Sequence, residues 1–152
     1  MRSIADALQS IAVTLWVGGM WAVGFVVAPL LFAKLGDRAL AGLMAGRLFD
    51  IVAWTGIACA AYLLVFRMAR HGAGCLRQGF FWTVLAMLVL VLGGMFGVQP
   101  VMEALRAQAL PKEVMASVLR DRFVTWHGVA SALYVVESLL GLVLVVLHGK
   151  GR

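Results

Sequence analysis

The stretch WHGVASALYVVESLL, residues 126–140, sets chemistry-bearing side chains into an apolar run. On a helix, with about 100° per residue, His127, Ser131, Tyr134, Ser138 and Gly141 share one stripe, and Glu137 stands about 80° from it. Between Val124 and Leu147, His127 and Glu137 alone could carry charge near neutrality. A carboxyl group in that position can hold a proton or a cation, and an imidazole can take a proton or ligate a metal. A polar stripe in lipid must face protein or water, and an ionised carboxylate at mid-bilayer costs at least ~2.5–3.5 kcal/mol. Glu137 is therefore expected to be either protonated and hydrogen-bonded or facing a wet cavity. Trp16, Trp21 and Tyr62 are the donors within reach by depth, and no Lys or Arg shares that level. The competing expectation is a structural hydrogen bond that locks helix four to helix one.

A second group gathers by position at the opposite end of the spans from the termini. Arg47, Asp50, Gln99, Glu103 and His127 fall within about a turn of that membrane face, beside Pro29 and Pro100. Each proline removes a backbone hydrogen bond and frees the carbonyl one turn earlier, at Phe25 and Phe96, so two kinks are expected to border a shallow cavity. Arg47 and Asp50 are spaced i, i+3 and can pair.

Metal chemistry has less support. Met20, Met44, Met87, Met95 and Met102 could offer thioethers to Cu(I), but methionine also fills apolar packing. His-x-x-x-His, Glu-x-x-His and Cys-x-x-Cys spacings are absent, and His71 and His148 lie on the opposite side from His127, which disfavours bis-histidine haem. No cofactor is implied by motif. His127 and Met95 remain as weak metal candidates. Nor is there a nucleophile elbow, a phosphate loop or a carboxylate dyad to indicate an enzyme.

The elements that must carry these residues are set by composition. The 152 residues are 63% hydrophobic and 13% charged, with a net charge of +6. A soluble domain typically carries about 25% charged residues, so lipid is the natural solvent here. No basic run with interleaved aromatics points to nucleic acid. Apolar stretches fall at 11–33, 48–66, 79–98 and 126–147. Each is about the 20 residues that cross a ~30 Å hydrocarbon core as a helix. The expected fold is all-α: a single domain, residues 1–152, forming a four-helix transmembrane bundle. The first stretch is too long for a signal h-region and reads as a span that stays. Asp37 is a candidate N-cap for a second helix that begins outside the membrane. Residues 101–106 extend the third helix, and Pro111 suits the first turn of a short amphipathic helix before the fourth. Gly18, Gly19, Gly93 and Gly94 are expected at close helix contacts, because small residues let backbones approach in lipid. They also echo one another, as Gly-Gly-Met-Trp and Gly-Gly-Met-Phe, in two helices that run the same way. Basic residues number nearly the same on both sides, but five acids share the far side. Termini in the cytoplasm, with the protein in the bacterial inner membrane, is the expected orientation.

LWVGGMWAVGFVVAPLLFAKL (15–35), AGRLFDIVAW (45–54) and HGVASALYVVESLLGLVLV (127–145) resemble the transmembrane protein 205-like family, known in bacteria as a domain of unknown function. The resemblance implies a four-helix integral membrane protein and hints at handling of soft metals or at trafficking. A looser similarity in layout is to the copper-resistance D-like membrane proteins, which favour more histidines and methionines. The resulting expectation is a small membrane protein that binds or passes a small solute, a proton or a soft metal at a polar intramembrane site. The rival expectation is a non-catalytic accessory or assembly subunit packing against a larger membrane complex; the expected partners are the lipid bilayer and either a second copy of the chain or another membrane protein.

Overall fold

The computed structural model describes residues 4–108 and 118–150. Four long helices run up and down as a bundle, and among the described residues there is no strand. The first, α1, spans Ile4–Lys34 and contains a π-helical turn at Ala22–Val27. The second, α2, is one 34-residue α-helix, Arg38–His71. The third, α3, comprises Gly79–Gly93, a π-helical turn Gly94–Val98 and a last segment Gln99–Gln108. The fourth, α4, is Val118–Lys150. All four are long and apolar enough to cross a membrane, which makes this a multi-pass membrane protein. Each of α1 and α3 packs on both α2 and α4, so like-running helices sit on the diagonals.

The expected extensions are present. Asp37 caps α2: its Oδ1 accepts from the amides of Ala39 at 2.8 Å and Leu40 at 3.3 Å. This satisfies two of the four amides that a helix start leaves open. Asp37→Ala should therefore fray the first turn of α2 and cost about 1 kcal/mol, read as faster amide exchange at Ala39 and Leu40. At its other end α2 runs on to His71 and stops at Gly72, whose φ of 53° suits glycine. A 3-10 segment, Gly72–Arg77, then leads into α3. Pro111 and most of the expected amphipathic helix lie outside the described residues.

The prolines do more than kink. Ala28 and Gln99 donate their amides five residues back, to Val23 and Gly94 respectively, one residue ahead of Pro29 and Pro100. The helix widens where the proline ring would meet a carbonyl, which relieves the clash. The two sites share Phe-x-Val-x-Pro, at 25–29 and 96–100. The repeat between the two helices is thus centred on the prolines rather than on the Gly-Gly-Met segments.

The core is layered around Trp16 and Met20 of α1, Ala60 and Leu63 of α2, Val84 and Met87 of α3, and Leu144 of α4. The glycines that let these helices close are not the expected ones. A Cβ at Gly18, Gly19, Gly93 or Gly94 would meet open space. The close approaches are at Gly24, Gly56 and Gly141. A Cβ on Gly24 would stand 2.6 Å from Cζ of Tyr134, and one on Gly56 3.0 Å from Cδ1 of Trp16. At Gly141 it would come within 3.2 Å of Val17 and Met20. Small residues do mediate close packing, but at notches that each receive a large side chain from a neighbouring helix.

Candidate functional site

Glu137 is half-buried on the inner side of α4. The Trp16 indole stands near enough to its carboxyl group to serve as its donor. Trp16 is 1% exposed and lies flat in the notch at Gly56, so one side chain joins α1, α2 and α4. Of the three expected donors, Trp16 alone is engaged this way. Tyr62 donates instead to the carbonyl of Ala5, at 3.3 Å, and among the described residues Trp21 Nε1 has no partner. The neighbouring Ser138 is 5% exposed, and its hydroxyl likewise has none. An acid held by one donor, beside an unpaired hydroxyl, leaves hydrogen-bonding capacity for a proton or a small guest.

One turn away, Tyr134 reaches across the bundle. Its hydroxyl donates to the carbonyl of Met20, and its ring meets Phe49 of α2 edge-on with centroids 5.2 Å apart. Phe25 adds a second edge contact at 6.2 Å. Tyr134, Ser138 and Gly141 thus hold the inner part of the expected stripe. His127 and Ser131 do not share it: both are exposed. Ser131 turns its hydroxyl back to the His127 carbonyl at 2.9 Å, and the imidazole stacks on Phe123. The stripe leaves the interior because the close packing of α4 on α1 centres on Tyr134–Leu144, while Val124–Val129 stand outside it.

At the far end, a groove of about 360 Å³ opens between α2 and α3. Arg47, Asp50 and Trp54 line it from α2, and Phe96, Gln99 and Glu103 from α3, with Met95 and Pro100 beside them. The expected Arg47–Asp50 ion pair is absent. Gln99 reaches Asp50 from the facing helix and donates to its Oδ1, leaving Arg47 to border the open groove. His127 and Pro29 do not line this groove. Among the described residues no three His, Cys, Asp or Glu side chains converge.

The other end of the bundle carries a network that hydropathy did not reveal. Arg67 of α2 donates from Nη1 to Oε1 of Gln78 at 3.0 Å, and its guanidinium lies 4.2 Å over the Phe80 ring. With its amide turned to face the guanidinium, buried Gln9 of α1 accepts from Nε at 3.3 Å and Nη2 at 2.9 Å. Ser10 and His148 meet at 3.2 Å, and the His148 ring tilts against Phe80. Arg70 pairs with Asp6. All four helices are thus tied around one arginine.

The sequence profile of a family described as a domain of unknown function, DUF4149, matches residues 11–111, more than half of the 152. The chain belongs to the DUF4149 family. No curated protein and no solved structure matches it. In this DUF4149 chain the matched region holds the groove, Trp16 and Arg67, while Gln9, Ser10, His148 and Glu137 lie outside it. The signal for Arg67 was present in the sequence: Asp6, Gln9 and Ser10 are polar residues in the first two turns of α1, and a buried amide implies a polar partner from another helix.

Proposed function

We propose that the protein binds a small organic solute carrying a positive charge, in the groove between α2 and α3, and that Glu137 is a proton-holding acid deeper in the bundle. The lining of the groove carries this reading. Two carboxyl groups, Asp50 and Glu103, stand with the aromatic side chains of Trp54 and Phe96 in a space of about 360 Å³. That size lies at the lower end of small-molecule pockets. Carboxylates and aromatic faces together suit an ammonium group on an apolar body.

Thermal-shift titration with primary and quaternary amines, against neutral molecules of the same shape, tests this. The amines should raise the melting temperature of the detergent-extracted protein. The double variant Asp50→Asn, Glu103→Gln should weaken that response about tenfold or more, as expected for losing charge-assisted contacts of about 1.5–3 kcal/mol. An equal response in the double variant would reject the groove as the site.

A specific observation supports a second reading, that of an accessory subunit. His127, Gly128, Ser131 and Ala132 are all exposed on α4. Polar and small residues on an outer helix face suit another helix better than lipid. Oxidative cross-linking of Ser131→Cys in intact membranes would then give a dimer of this chain or a defined heterologous product, and a monomer alone would count against it. The inner-membrane location and the likeness to transmembrane protein 205-like proteins belong to the same proposal. With cytoplasmic termini, a reporter after Arg152 reads cytoplasmic and one at Pro111 periplasmic; the reverse pattern overturns the orientation.

A further inference from the structure

A second recess, about 340 Å³, lies at the terminal end of the bundle, where α2, α3 and α4 converge. We infer that it holds the phosphate of an anionic phospholipid. Three basic side chains line it, Arg67, His71 and Lys150, with the Gln78 amide beside them. Among the described residues no carboxyl group does. The one ion pair among the described residues, Arg70–Asp6, lies outside its lining. Among the described residues, the direct partners of Arg67 are the neutral oxygens of Gln78 and Gln9 and the Phe80 ring, while the Asp6 carboxylate, already paired with Arg70, acts on it from farther off. Amide acceptors satisfy its N–H groups without balancing its charge, and a partly buried cation gains most from an anion.

Depth identifies the source of that anion. Arg67 directly follows the apolar stretch 48–66, so its head lies where a leaflet's phosphates begin. Phe80 and Leu147 give the recess an apolar wall on the membrane side of the cations, fit for a glycerol backbone and the first acyl carbons. A guanidinium offers paired N–H groups to phosphate oxygens, and an ammonium adds an adaptable point charge. Basic recesses between spanning helices are suited to acidic headgroups for these reasons. The site is separate from the groove between α2 and α3.

The test is native mass spectrometry of the purified full chain in detergent, titrated with phosphatidylglycerol or phosphatidylcholine, and repeated in excess inorganic phosphate. Phosphatidylglycerol should bind in preference to phosphatidylcholine. Lys150→Gln should weaken it about fivefold. Arg67→Gln should remove the preference, but Arg67 also ties the four helices. The decision therefore rests on Lys150→Gln combined with His71→Gln, both at exposed rim positions away from that junction. Undiminished phosphatidylglycerol binding in this double variant, or equal retention of the two lipids by the wild type, overturns the site. Displacement of the lipid by inorganic phosphate overturns the lipid as its source and assigns the recess to a free anion.

Discussion

Gly56→Ala is expected to destabilise the bundle by about 2–4 kcal/mol. The added Cβ would stand 3.0 Å from two ring carbons of Trp16, with the indole nitrogen nearer still. Trp16 is 1% exposed and has no free space to enter, so either the indole leaves its notch or α1 and α2 move apart. Both outcomes remove the donor to Glu137. Overpacking alone costs about 1–3 kcal/mol, and the lost interhelical hydrogen bond adds about 1. Gly18→Ala is the matched control: nothing lies within 4 Å of its Cβ, and alanine favours the helix. SDS-titration unfolding in mixed micelles should show a large loss for Gly56→Ala and none for Gly18→Ala. Equal midpoints for the two variants would show that the notch does not hold the bundle together.

Glu137 gives the second large effect. Glu137→Leu leaves the Trp16 indole buried without an acceptor and should cost about 1–2 kcal/mol. Glu137→Gln keeps the shape and an acceptor oxygen, and should cost less than half as much. Trp16→Phe combined with Glu137→Leu should cost less than the sum of the two, since both remove the same bond. Full additivity would mean that the two side chains do not interact. Stability also separates fastening from chemistry. If Glu137→Gln folds normally yet loses amine-dependent proton uptake in proteoliposomes, the acid has a function beyond holding helices.

Much of this was legible in the sequence, for identifiable reasons. Hydropathy located the spans because each must match the thickness of lipid, and Asp37 announced the start of α2 through cap chemistry. Asp50, Gln99 and Glu103 could be grouped because distance along a helix axis is simple counting. Rotation about the axis is harder. A π turn inserts a residue and turns everything after it by roughly 100°, so phase carried along α1 or α3 past Pro29 or Pro100 fails. Glycines also look alike in sequence. Gly56 differs from Gly18 only because Trp16 faces it, and that is a fact about two helices together. Arg67 does not stand out by hydropathy, which scores a side chain by type and not by what receives it.

The distribution of ties has a mechanical consequence. At one end, Arg67, Gln9, Gln78, Ser10 and His148 connect all four helices, and Arg70 adds a clasp to Asp6. At the other, the two diagonal helices each carry a widened turn just before a proline, where backbone bonding is at its thinnest. The bundle is thus clamped at its base and compliant at its tips, like a tweezer with two hinged arms. Thermal energy will be spent mainly in splaying the ends of α1 and α3, and the Asp50–Gln99 contact lies between one of those ends and α2. Whatever enters the groove there meets α3 beside its widened turn.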